Sequence, residues 1–174
     1  MEHNILLFVQ ENVRLEWLND FMVGFTTLGE HGILGIIAVV ALIAYPRTRK
    51  IGVIAALSFI IGAVVMRGVI KNLAMRPRPF AEFSDLILLG PKPNDYSFPS
   101  GHTMAMFSVA WILLRSEFVK LKWIFLCASL LMGLSRMYVC AHYPTDVLGG
   151  IVISFIGSYI AWEWAKRIKF VQKL

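Results

Sequence analysis

The stretch SRMYVCAHYPTDVLGG, residues 135–150, closes one apolar run and opens another. Between the two stand His142, Pro144 and Asp146. Proline suits the first turn of a helix, where its missing N–H costs little. The stretch therefore reads as helix, short turn, helix, with His142 in the turn and Asp146 in the first turn that follows. Two interpretations fit these residues. In one, Asp146 caps a helix and His142 is an incidental surface residue. In the other, the carboxylate accepts a hydrogen bond from one imidazole nitrogen and fixes the tautomer. The other nitrogen is then free to attack an electrophile, and the carboxylate stabilises positive charge on the ring.

Working outward, the apolar runs decide the fold class. They are Ile33–Tyr45, Ile51–Met66, Thr103–Leu114, Leu121–Val139 and Val147–Trp162, with a weaker one over Leu15–Leu28 that contains Glu16 and Asp20. Several are shorter than the ~20 residues a membrane crossing needs. Charge settles the matter. Only 16% of the 174 residues are charged and 57% are hydrophobic, against about 25% charged in a soluble domain. Mean hydropathy is +0.67. So few charges cannot solvate the outer faces of six helices. The expectation is an all-α, polytopic membrane helical bundle of about six transmembrane helices, in a single domain over residues 1–174. Gly149, Gly150 and Gly157 would let neighbouring helices approach closely. Ile5–Gln10 reads as a short interfacial helix.

The net charge of +6 sits mostly between apolar runs. This distribution suits lipid head groups and topology rather than nucleic acid. Arg47, Arg49 and Lys50 form one positive link, and Arg115, Lys120 and Lys122 another. Lys166, Arg167, Lys169 and Lys173 form a positive tail. Six crossings put all three on one side together with the first residues, and the positive-inside rule makes that side cytoplasmic. Residues 71–100 and the turn 142–146 then face outward. In that outer segment, Glu82, Asp85 and Asp95 nearly neutralise Lys71, Arg76, Arg78 and Lys92. The first residues, MEHNILLFVQEN, lack the basic start of a secretory signal. Cys127 and Cys140 fit no metal-ligand spacing and read as packing residues.

Two further polar clusters fall on the same predicted side as His142. In KNLAMRPRPF, residues 71–80, Lys71 ends an apolar run, Arg67 lies one turn earlier, and Pro77 and Pro79 stop the helix. These cations could snorkel toward lipid, or they could clamp an anion. In YSFPSGHTMAM, residues 96–106, Pro99, Ser100 and Gly101 lead into a helix, with Ser100 or Thr103 as N-cap. Helix starts bind anions, and Gly101 lets an oxygen approach the backbone. His102 falls in that first turn. Each cluster alone also reads as an ordinary structural element. Together they supply three cations, an anion-binding helix start and two histidines, one with an acid partner. That inventory suits phosphoryl transfer without a metal.

These residues resemble the type 2 phosphatidic acid phosphatase family. Its wider superfamily includes glucose-6-phosphatase, bacterial acid phosphatases and vanadium haloperoxidases. The pattern Lys-x6-Arg-Pro matches Lys71, Arg78 and Pro79. Pro-Ser-Gly-His matches residues 99–102. Ser-Arg-x5-His-x3-Asp matches Ser135, Arg136, His142 and Asp146. The resemblance implies an acid phosphatase/vanadium haloperoxidase-like core and no metal or other cofactor. It implies His142 as nucleophile, Asp146 as its orienting partner and His102 as general acid. Lys71, Arg78, Ser100, Gly101 and Arg136 would hold the phosphate. Arg67 and Arg76 lie outside the pattern, and one of them would contact a second phosphate or a lipid head group. The implied substrate is a lipid phosphate at the outer face of the cytoplasmic membrane. A polyprenyl diphosphate such as undecaprenyl diphosphate is favoured over phosphatidylglycerophosphate, phosphatidate or lipid A. A non-catalytic lipid-binding protein would typically have lost one of the two histidines, and both are present.

Overall fold

The apolar runs become helices, and Pro144 starts the last of them. The computed structural model describes residues 1–117 and 119–168. Lys169 and Lys173 of the basic tail lie outside the described residues. The elements are α1 (Glu2–Asn12), α2 (Glu16–Leu28), α3 (Ile33–Ala44), α4 (Arg49–Val65), α5 (Lys71–Ala74), α6 (Pro79–Glu82), α7 (Gly101–Leu114), α8 (Val119–Tyr138) and α9 (Pro144–Arg167). A 3-10 turn, Glu30–Gly32, joins α2 to α3, and a π turn, Met66–Ile70, joins α4 to α5. Among the described residues there is no strand.

Helix α7 is the axis of the bundle. It is apolar on every side, as a helix surrounded by protein must be, and it packs against α3, α4, α8 and α9. Val109, Ile112 and Leu113 of α7 meet Leu42 of α3, Ile54 of α4 and Ala161 of α9 in the largest apolar cluster. Two glycines permit this packing. A Cβ on Gly150 would stand 2.6 Å from the Ser100 carbonyl oxygen, and one on Gly157 would stand 3.0 Å from that of Ser58. Outward faces are equally apolar: Ile36, Val40, Ile60, Val64, Val152 and Ile156 are all exposed. An exterior this apolar suits lipid as solvent.

Length and composition of the helices do not confirm the expected six crossings. Among the described residues, two helical segments, Arg49–Glu82 and α9, are long and apolar enough to cross a membrane. A third is reached if α2 and α3 form one broken span, and α7 is a shorter apolar helix. The expected reversal at Glu30–His31 is instead a bend of 45°, made by His31 and Gly32 in left-handed conformation (φ 53° and 76°). Helices α2 and α3 therefore continue one another across a bend and do not pair as a hairpin. This also moves the first residues. Glu2 of α1 bonds to Arg76 and Thr145, next to His142 rather than beside the basic links. Helix α1 is the expected short helix near Ile5–Gln10, extended at both ends, and its Leu6 is buried against Leu86, Cys140 and Tyr143. At the opposite end of the bundle, the Arg115 guanidinium lies over the Tyr159 and Trp162 rings at 5.6 and 5.9 Å. Cys140 is buried as expected, whereas Cys127 is exposed.

Candidate active site

The site is assembled from the ends of five helices, α5 to α9. Helix α4 runs through the π turn into α5. A π turn widens the helix locally and recurs at functional sites. It delivers Lys71, which is buried despite its charge. Met75, in left-handed conformation (φ 42°), ends the helix just before Pro77, and Arg78 follows in extended backbone as the N-cap of α6. Helix α8 supplies Arg136. It stops at Cys140, also left-handed (φ 56°). The N–H groups of Ala141 and His142 then turn back onto the Arg136 carbonyl, at 3.1 and 3.2 Å. This tight turn sets His142 against Arg136 and Arg78.

His142 is buried between two partners. Its Nε2 lies 3.2 Å from an Arg78 terminal nitrogen, which can only donate. Nε2 is therefore the acceptor, and the ring proton sits on Nδ1. Nδ1 faces Asp146 Oδ2 at 3.4 Å, an ion-pair separation without a formed hydrogen bond. Contacts of this kind often tighten only when substrate binds. Burial, followed by the charges of Arg78, Arg136 and Lys71, pushes the His142 imidazole well below its ordinary pKa. The ring is neutral at physiological pH, as a nucleophile requires.

Asp146 is fully buried. Its Oδ2 accepts from the Tyr143 N–H at 2.8 Å and from the Ser97 hydroxyl. Its Oδ1 accepts from Arg76 at 2.9 Å. The first of these bonds closes a capping box at the start of α9. The two sequence interpretations of this carboxylate are thus compatible: one oxygen caps the helix and faces His142.

At the start of α7, Ser100 is the N-cap. Its hydroxyl accepts from the Thr103 N–H at 3.4 Å and from the Thr103 hydroxyl at 2.9 Å. The Gly101 and His102 N–H groups have no carbonyl a turn earlier to meet. His102 Nε2 is buried and has no hydrogen-bond partner. These groups open onto a cleft of about 920 Å³ lined by Lys71, Arg78, Gly101, His102, Arg136 and His142, within the size range of ligand sites.

The PAP2 superfamily pattern matches residues 50–170, more than half of the chain. The chain belongs to the PAP2 superfamily. It is a membrane-embedded phosphatase. An undecaprenyl-diphosphatase from Sulfolobus acidocaldarius is 36% identical over 161 residues, covering 91% of this chain and 75% of that protein. Among solved structures, Aquifex aeolicus LpxE matches with a TM-score of 0.78 at 28% identity, over 91% of this chain and 93% of the other. A PAP2-type phosphatidylglycerolphosphate phosphatase from Bacillus subtilis matches with a TM-score of 0.73 at 26% identity, over 95% and 85%.

Two residues of this PAP2 chain stand elsewhere than the sequence implies. Ser100 is buried with its hydroxyl turned to Thr103, and it does not line the cleft. A capping hydroxyl is committed to its own helix. Arg76 is not on the cleft either. It donates to Glu2, Thr145 and Asp146, and its guanidinium lies 3.7 Å from the Tyr143 ring centroid. These contacts commit the Arg76 guanidinium to Glu2, Thr145 and Asp146. Arg67 does line the cleft. Sequence reasoning missed Thr26, Glu30 and His31, which the bend between α2 and α3 carries into the cleft wall. Thr26 accepts from Arg136 at 2.5 Å. It also missed Asp95 and Ser97, which lie in the irregular segment before α7, where no periodicity points to an orientation.

Proposed function

We propose that this lipid phosphatase removes the terminal phosphate of a polyprenyl diphosphate, such as undecaprenyl diphosphate, through a phosphohistidine. The observation that carries the mechanism is the placement of His142 between Asp146 on Nδ1 and the cationic cleft on Nε2. In the first step Nε2 attacks phosphorus, and the bond to the leaving oxygen breaks with its electron pair. His102 passes a proton to that oxygen. Lys71, Arg78, Arg136 and the Gly101 N–H balance charge on the three equatorial oxygens. Asp146 stabilises the positive imidazole ring. In the second step water attacks phosphorus, the N–P bond breaks, and His102 takes a proton from the water. Orthophosphate leaves and neutral His142 is restored. No step needs a metal.

Support for a diphosphate comes from the cations of the cleft, Arg67 included, and from the relative named as an undecaprenyl-diphosphatase. Three basic links lie at the ends of α3, α7 and α9, opposite the cleft. The positive-inside rule then puts that end in the cytoplasm and the cleft at the outer face of the cytoplasmic membrane. Purified protein should release phosphate from a panel of lipid phosphates and diphosphates, fastest from the polyprenyl diphosphate, with or without chelator. Acid quenching should trap labelled phosphate on His142. Equal rates for wild type and His142→Ala would overturn the nucleophile. Loss of activity in chelator, restored by a divalent ion, would overturn the metal-free route.

A further inference from the structure

The cleft already contains an anion of its own. The Asp95 carboxylate bridges Lys71 and Arg78: Oδ2 accepts from the Lys71 ammonium, and Oδ1 accepts from an Arg78 terminal nitrogen at 2.5 Å. Both cations are buried, whereas the Asp95 side chain is 58% exposed and lines the open cleft. The backbone does the anchoring. The Asp95 carbonyl accepts from Arg78 Nε at 2.8 Å, the Ala141 carbonyl accepts from another Arg78 nitrogen at 2.7 Å, and the Tyr96 carbonyl accepts from Lys71 at 2.9 Å. Arg78 would keep these backbone bonds if the carboxylate left. Its remaining terminal nitrogen and the Lys71 ammonium are groups a bound phosphate would use, and the carboxylate occupies both.

Resting on the phosphatase assignment above, we infer that Asp95 is a resident anion in the phosphate site, displaced by substrate and selective for highly charged phosphates. Two buried cations side by side are costly without a counter-charge. In the empty site Asp95 supplies that charge. Partial burial raises its own proton affinity, but the hydrogen bonds and charges of Lys71 and Arg78 outweigh this and hold the carboxyl at about 2. A carboxylate offers one negative charge and two oxygens. A terminal phosphate offers more charge and a third oxygen, which reaches groups Asp95 leaves open: the unpartnered Arg136 Nε and the first N–H groups of α7. A singly charged phosphodiester gains much less from the exchange. After hydrolysis the same carboxylate returns to the cations and helps to expel orthophosphate. Asp95 lies between Pro93 and Ser97 in a segment without helix, so its side chain can swing without unwinding an element.

Inhibition by inorganic phosphate tests the exchange without assuming a lipid. Asp95→Asn and Asp95→Ser should lower the inhibition constant of orthophosphate roughly tenfold, the worth of one charge-assisted contact, and lower KM in parallel. Singly charged dimethyl phosphate should gain as an inhibitor relative to orthophosphate. Asp95→Glu, which keeps a carboxylate within reach, should lower the inhibition constant of orthophosphate less than Asp95→Asn or Asp95→Ser does. An unchanged or higher inhibition constant in both Asp95→Asn and Asp95→Ser overturns the inference and makes Asp95 a residue that only orients Lys71 and Arg78. Wild-type protein gives a second answer. Carbodiimide labelling of Asp95, read by mass spectrometry, should rise when orthophosphate saturates the site, and a fall or no change counts against displacement. The phosphatase assignment fails separately, if wild type hydrolyses no lipid phosphate. Calorimetric titration of orthophosphate into wild type and Asp95→Asn would still decide the exchange in that case.

Discussion

Arg76 donates to Asp146 Oδ1 at 2.9 Å while Glu2 accepts from the same guanidinium at 2.6 Å. The carboxylate behind His142 is therefore held by a cation that helix α1 holds in turn. Arg76→Gln should lower kcat roughly 10- to 100-fold, the usual cost of losing a group that orients a reacting residue, with KM nearly unchanged. Arg76→Lys should restore part of the loss. Glu2→Gln should act in the same direction with a smaller effect. Steady-state kinetics on one lipid phosphate would separate the terms. A change confined to KM would mean that Arg76 meets substrate directly.

His142 makes stability depend on pH. Its folded pKa lies well below the ordinary 6.5 because of burial and the surrounding cations. Below about pH 6.5 the unfolded chain binds a proton there that the folded chain does not, so stability falls as pH drops. The limiting slope is about 1.4 kcal/mol per pH unit for this one group. The Tm of the detergent-solubilised protein should fall from about pH 6.5 to about pH 5. His142→Asn should show a shallower fall. Parallel curves for the two proteins would contradict the neutral, buried imidazole.

Arg67 lines the cleft one π turn before Lys71 and is exposed. Arg67→Gln should raise KM for a lipid diphosphate roughly tenfold, the worth of one charged contact, and leave a lipid monophosphate within about twofold. Arg76→Gln should not discriminate between the two substrates. Equal losses on both would remove the second-phosphate role of Arg67.

Gly150 lets α9 lie on the start of α7. A Cβ there would meet the Ser100 carbonyl at 2.6 Å and the Met104 backbone nitrogen at 3.2 Å. Backbone cannot step aside, so Gly150→Ala should cost about 1–3 kcal/mol and lower Tm. It should also reduce kcat, because Ser100 donates its N–H to the Asp146 carbonyl at 2.9 Å and links the two helix starts. Gly68 has nothing within 4 Å of such a Cβ, so Gly68→Ala is the control and should leave Tm near wild type.

Much of the site was legible because its chemistry is tied to helix punctuation. Pro144 before Asp146, Ser100 before Gly101 and the Pro77–Pro79 stop fix where helices begin and end, whatever surrounds them. Those boundaries put His142, His102, Lys71 and Arg78 at helix ends. Asp95, Ser97, Arg76 and Glu2 were not legible as partners. Asp95 and Ser97 lie in an irregular segment, while Arg76 stands 70 positions from Asp146, and Glu2 stands 74 from Arg76 and 143 from Thr145, separations that no local rule relates; contacts such as Glu2 to Thr145 depend on how α1 docks.

By itself the sequence determined a helical membrane protein with two histidines and three cations at the ends of its apolar runs, because hydropathy and helix-terminus chemistry act over a few residues. Only the tertiary structure decided that α2 and α3 form one bent element, that Ser100 caps instead of lining the cleft, that Arg76 serves Asp146, and that Asp95 sits on Lys71 and Arg78. Each of these depends on the direction in which a side chain is aimed by packing between elements distant in the chain. Short-range preferences carry no information about that direction, since burial of a charge is settled by whichever partner the assembled bundle brings within reach.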